Sequence, residues 1–346
     1  MNSTDQPRLA VRSPADLIAA VPYLLGFHPA DSMVLVALQG KQIIFAARAD
    51  LPAPGSDPKP VSRYLAGVLG RQDADAVTVI GYGPAAQVTA TLDVLRPDLD
   101  GAGLTVLDAL RVEDGRYWSY LCPDPGCCPP EGTPYDPRAS QLTAAAVFAG
   151  QVALPDRAAL TAQVAPVTGP AADAMREATN RARQRLGDLL DGVTPEDLIA
   201  GRPMVGITRK AHRAALDQAR RGESLTDDQV AWLGLLLTFV PARDDVWERT
   251  DGDDEHLALW TDVFRRSDPE LIAAPGCLLA FAAFRSGQGA LAAVALERVL
   301  ARYPAYPMAL LLEDLLRRGV PPSRLVDWPM LNDKRTSRRR RRRGGR

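Results

Sequence analysis

The residues best equipped for chemistry lie between Arg116 and Asp136, in RYWSYLCPDPGCCPPEGTPYD. This span holds three of the four cysteines, one of the five tryptophans and five of the 29 prolines. Cys122, Cys127 and Cys128 have the spacing C-x4-C-C. Thiolates are good zinc ligands, and a loop stiffened by proline has little entropy left to lose on binding an ion. Tetrahedral zinc needs a fourth donor, for which Cys277, His28, Asp124 and Glu131 are candidates. The same thiols could do redox chemistry, with Cys122 pairing with Cys127 or Cys128. They could also simply pack a tight loop as small apolar groups. Adjacent cysteines rarely point the same way, so the metal, redox and packing readings stand side by side.

A second group is Gly26-Phe27-His28-Pro29-Ala30-Asp31-Ser32. Nucleophilic catalysis would need Ser32 within hydrogen-bond reach of a base such as His28. The plain alternative is that Asp31 and Ser32 cap a turn. Taken with Trp118, Tyr120 and Glu131, these residues define a possible ligand or redox site between 26–32 and 122–131. Gly81-Tyr82-Gly83-Pro84 lacks both the G-x-G-x-x-G pattern and a Walker lysine, and reads as a strand-to-helix turn. Asp244, Asp245 and the acids from Asp251 to Glu255 lack the alternating ligands of a calcium loop and read as a solvated interhelical stretch.

The elements that must position these groups follow from periodicity. Tyr117 to Leu121 alternates as a strand would and feeds the cysteine loop, in which proline opposes regular structure. Upstream, a short helix from Asp16 precedes two apolar runs, Met33 to Leu38 and Ile43 to Arg48, which read as a hairpin. Helical spacing over Val61 to Leu69 and Ala85 to Leu95 alternates with strands at Ala76 to Ile80 and Leu104 to Val112. Glu113-Asp114-Gly115 supplies a hairpin turn into the Trp118 strand. The fold class expected is α/β, a mixed sheet in the order β-β-α-β-α-β-β, followed by an all-α helical-hairpin domain. Residues 1–12 are expected to be loose, 13–154 to form the α/β domain, 155–333 the helical domain, and 334–346 a disordered tail. One expected helix runs from Asp227 to Val240.

Within the helical part, Ala280, Ala292 and Pro304 fall twelve apart, and Pro269 precedes Pro304 by 35. Leu271 to Leu316 therefore resembles one tetratricopeptide-like unit. Helical hairpins of this kind present surfaces to protein partners without catalytic residues.

Composition bounds the function. A chain of 346 residues can bury two cores. The hydrophobic fraction of 46% and charged fraction of 24% are those of an ordinary soluble protein. Four cysteines at this length make no disulfide framework, so a cytoplasmic location is expected. No signal-peptide pattern opens the chain, and no run approaches the ~18 apolar residues of a membrane span. The net charge of −1 conceals an asymmetry. Nine of the 41 basic residues lie from Lys334 onward, leaving 32 against 42 acids, or −10, in the body. Arg338, Arg339, Arg340, Arg341, Arg342 and Arg343 form a run suited to sequence-blind contact with nucleic acid or another polyanion.

Three blocks carry a resemblance: SPADLIAAVPYLLGFHPADSMVLVAL, LDALRVEDGRYWSYLCPDPGCCPPEGTP and QGALAAVALERVLARYPAY. They resemble an actinobacterial family, the domain-of-unknown-function 4192 family. The resemblance implies no reaction and supplies no catalytic residues. It implies Arg or His at the position of His28, which is hard to reconcile with an obligatory proton shuttle there. The expected function is an interaction or regulatory protein that uses the helical domain as its partner surface. The alternative is an enzyme or a small-ligand or metal-binding protein, with zinc the metal that the thiols would take.

Overall fold

A computed structural model describes residues 13–191, 194 and 202–325. The chain divides into two compact units, Met1–Ala162 with Arg317–Gly319 and Gln163–Leu316 with Val320–Arg346. Among the described residues there are six strands and thirteen α-helices.

In the first unit, Ser13 caps α1 (Pro14–Leu25) by accepting from the Asp16 amide at 3.1 Å. Gly26, at φ +82°, ends it where an L side chain would be strained. β1 (Ser32–Gln39) and β2 (Gln42–Asp50) form the expected hairpin. α2 (Lys59–Leu69) then leads to β3 (Ala76–Tyr82), which lies antiparallel to β1. α3 (Ala85–Gly101) crosses over to β4 (Thr105–Glu113), parallel to β3. β5 (Arg116–Ser119) returns antiparallel. The sheet order is β2-β1-β3-β4-β5-β6. β1 and β3 are buried on both faces, as their uninterrupted apolar runs require.

The sheet has a core on each side. Met33, Leu35, Val77, Val79 and Ala109 pack with Leu65 and Leu69 of α2 and Leu92, Leu95 and Leu99 of α3. On the other face Val34, Val36, Ile80 and Val112 pack with Leu17, Ile18 and Val21 of α1. Gly81 lies beneath Val88, and a Cβ there would collide with it. The Gly81 to Pro84 turn thus serves strand-to-helix packing.

The observed order departs from β-β-α-β-α-β-β at its C-terminal end. α1 contains the short helix expected from Asp16, whereas β6 (Thr133–Pro134) adds a sixth strand inside the stretch expected to be irregular. Proline is tolerated there because β6 is an edge strand, where a missing N–H breaks no ladder. α3 also runs past the expected Leu95 and through Pro97, with the fully buried Leu99 drawing its last turns onto the sheet. A 3-10 turn (Pro137–Ala139), α4 (Gln141–Phe148) and α5 (Arg157–Gln163) follow.

The second unit is helical throughout its described residues: α6 (Pro170–Leu190), α7 (Arg202–Arg220), α8 (Asp227–Leu236), α9 (Val240–Trp247), α10 (Asp254–Arg266), α11 (Ala273–Arg285), α12 (Gly289–Arg302) and α13 (Pro307–Arg317). α11 is buried from Ala274 through Phe284 and forms the centre of this core with Trp260 and Phe264 of α10. Where one helix was expected from Asp227 to Val240 there are two, because Pro241 suits a first helical turn and not an interior. The acids at 244 and 245 are therefore on α9 and not in a solvated loop. The Asp245 side chain is 11% exposed and clamped by Arg209 at 2.5 Å and Arg249 at 3.1 Å. Burial alone would raise its pKa. The two guanidinium bonds more than reverse that, and its carboxyl is held down to about 2.

Candidate functional site

Local chemistry explains how β5 delivers the cysteines. Asp114 and Gly115 both have positive φ, +49° and +71°, which gives the primed two-residue turn that keeps β4 and β5 in register. Ser119 ends β5 and turns the chain. Its hydroxyl donates to Asp108 Oδ1 at 2.7 Å and accepts from the amides of Leu121 and Cys122 at 3.2 and 3.1 Å. The amide of Tyr120 donates to the Ala109 carbonyl, and its phenol lies 2.8 Å from Thr89 Oγ1.

From Cys122 the chain folds back on itself through Asp124. The Asp124 carboxylate accepts from the Gly126 amide at 2.8 Å. Its carbonyl accepts from the amides of Cys127 at 3.2 Å and Cys128 at 2.7 Å. The returning pair of cysteines faces the outgoing one, and all three sulfurs lie within 4.8 Å of one another. Cys127 is exposed and the other two are half-buried. The backbone hydrogen bond from Asp124 and the neighbouring Cys128 pull the Cys122 thiol down. The Cys128 thiol is pushed up, chiefly by its hydrogen bond with Cys122 and by burial.

The far end of the loop is pinned to the same hairpin. Trp118 Nε1 donates to the Pro130 carbonyl at 3.0 Å, and Arg116 donates to the Gly132 carbonyl at 2.8 Å. Gly132 has φ +83° and sits against the Trp118 ring, where a Cβ would collide with it. The Arg111 guanidinium covers the indole at 3.6 Å from its centroid and pairs with Glu113. Arg111, Arg116, Ser119, Asp108 and Gly132 are thus the supports of the thiol cluster. Sequence reading missed them because each acts across a strand pair or a long loop, and no spacing advertises that.

Of the remaining candidates, Trp118, Tyr120 and Glu131 lie at the loop, and His28, Asp31, Ser32 and Cys277 sit elsewhere. His28 is exposed, and its amide donates to the Leu154 carbonyl at 2.9 Å. Asp31 is exposed in a left-handed conformation, φ +43°, and its carbonyl accepts from Leu51. Ser32 is fully buried opposite Tyr82 and Asp50, and its hydroxyl has no hydrogen-bond partner among the described residues, so no Ser32–His28 pair forms. β1 lies three strands from β5, roughly 14 Å across the sheet. Glu131 is exposed, and Arg116 contacts its carbonyl at 3.3 Å. Trp118 and Tyr120 hold the loop and the sheet together. Cys277 is buried in α11, where burial pushes its thiol up. Among the described residues, Cys122, Cys127 and Cys128 are the group of His, Cys, Asp or Glu side chains close enough to share an ion.

The second unit contains a buried imidazole pair that the sequence reading did not single out. His212 of α7 stacks on Trp260, 5.5 Å between centroids, and lies 6.0 Å from the ring of His256 of α10. Asp253 Oδ1 is 2.7 Å from His256 Nδ1, and the Nε2 atoms of both histidines are buried without hydrogen-bond partners among the described residues. The arginine run from Arg338 to Arg343 lies outside the described residues. Among the described residues no helix is long and apolar enough to cross a membrane.

No curated protein and no solved structure matches the chain. Residues 14–323 match the family described as Domain of unknown function (DUF4192). That match takes in the sheet, the thiol loop and most of the helical unit, and on it the chain belongs to the DUF4192 family.

Proposed function

We propose that this protein binds a soft metal ion, zinc, through the thiolates of Cys122, Cys127 and Cys128. The observation that carries this reading is the triangle of sulfurs within 4.8 Å. A tetrahedral zinc with bonds of about 2.3 Å sets its sulfurs about 3.8 Å apart, a spacing that falls within the bound the three sulfurs share. A disulfide needs two of those sulfurs to approach to about 2.05 Å, closer than zinc sets them, against the Asp124 and Ser119 hydrogen bonds. Backbone and side-chain supports of this kind hold ligands in place around a metal.

The test is elemental analysis of full-length protein purified without added chelator, together with titration of its accessible thiols. The expected result is about one zinc per chain, with three further thiols becoming reactive on chelation. Cys127→Ser and Cys128→Ser should each lose most of the metal. A folded, metal-free sample whose three loop thiols react at once would overturn the reading.

A second reading, protein docking on a tetratricopeptide-like helical surface, is supported by α13, which leaves Leu310 and Leu311 exposed at 43% and 38%. It makes the thiol centre one part of a regulatory protein. Charged residues at both positions should abolish partner capture by the full-length chain without changing its metal content. Unchanged capture would count against it. The arginine run remains a proposed polyanion contact.

A further inference from the structure

We propose that the fourth coordination position of this centre is filled from outside the chain, by a small thiol bound as its thiolate. The inference rests on the metal reading and deepens it.

The chain's own soft donors are all accounted for. It has four cysteines and three histidines. Three cysteines form the triangle, and Cys277 is wholly enclosed in α11. His212 and His256 are each 4% exposed among the helices of the second unit, where Asp253 already engages His256 Nδ1. His28 is near enough to the three sulfurs to complete neither a four-ligand nor any other group, and no described acid does so. The Asp124 carboxylate is turned onto the Gly126 amide by its own loop. The centre is meanwhile open on one side, with Cys127 exposed and its two partners half-buried. This is the arrangement of a zinc site that keeps a position for an exchangeable ligand.

The donor set of the centre, three sulfurs, decides the class of ligand. A zinc dication held by three thiolates carries a net charge of −1. Three strong donors leave it a weak activator of water, and soft ions prefer a further sulfur to an oxygen. A thiol entering the position displaces the bound water, its S–H bond breaks, the new Zn–S bond forms and one proton passes to solvent. Coordination deprotonates the thiol, and nothing is oxidised or reduced.

The experiment uses full-length protein loaded with Co(II) in place of zinc and titrated with 2-mercaptoethanol, with imidazole and acetate in parallel. Thiol should raise the sulfur-to-cobalt charge-transfer absorbance saturably by about one third, four thiolates replacing three. Close to one proton per chain should be released in the same titration. Imidazole and acetate should leave the charge-transfer band unchanged. An unaltered spectrum at saturating thiol, a four-thiolate spectrum before any thiol is added, or cobalt stripped into solution would each overturn the inference while leaving metal binding intact. Failure of the protein to take up cobalt or zinc at all is a different outcome, and sinks the metal reading itself.

Discussion

Trp118 holds two separate parts of the molecule to one ring. Its Nε1–H reaches the Pro130 carbonyl, and its face carries the Arg111 guanidinium. Trp118→Phe keeps a ring for Arg111 and removes the donor, so it should cost about 1 kcal/mol of stability. Because the loop end is then less constrained, zinc affinity should fall by roughly tenfold, measured by competition with a chromophoric chelator. Gly132→Ala should be worse, since it meets both a positive φ and the indole. If the two variants bound zinc as tightly as the parent, the clamp would have no bearing on the centre. Ser119 is the residue whose importance was least visible beforehand: a common, small side chain that closes three hydrogen bonds only because Asp108 lies across the ladder.

At the scale of elements, the contact of α7 with α10 should make stability depend on pH. Burial, then the charges of His256 and Arg249, pull the His212 imidazole down to about 4, with Asp245 opposing and Arg220 adding to the effect. The unfolded chain, with an ordinary histidine near pKa ~6.5, takes up this proton first as pH falls. The contribution is therefore complete above pH ~6.5 and is lost as pH falls toward about 4, on the order of 3 kcal/mol. Thermal melts of the full-length protein across that range should show the loss, and His212→Gln should flatten it. A parent profile that is flat between those values would refute the assignment. Elsewhere, Gly276 of α11 sits where a Cβ would strike Val299 and Phe264. Gly276→Ala should destabilise the α11–α12 hairpin by about 1–3 kcal/mol, read from urea unfolding.

Across the whole molecule the charge is divided along the chain, −10 up to Asp333 and nine basic residues after it. If six consecutive arginines engage phosphates, the log–log salt slope for binding duplex DNA of arbitrary sequence should be about −5. Removal of residues 334–346 should abolish that binding and leave zinc content unchanged. Retention of binding by the shortened protein would place the contact elsewhere.

Most of the architecture was legible in the sequence because short-range physics writes it there. The continuous apolar run of β1, the Asp114-Gly115 turn and the 3.6-residue periodicity of α10 to α13 each follow from local preference. The division into a mixed sheet and a helical remainder needs nothing more. Tertiary structure alone decided that Cys127 and Cys128 turn toward Cys122, because the Asp124 carbonyl collects both their amides. It also decided that Ser32 is buried away from His28, and that Asp245 is gripped by two arginines. Side-chain direction and long-range pairing depend on neighbours distant in the chain, and residue spacing carries no record of them.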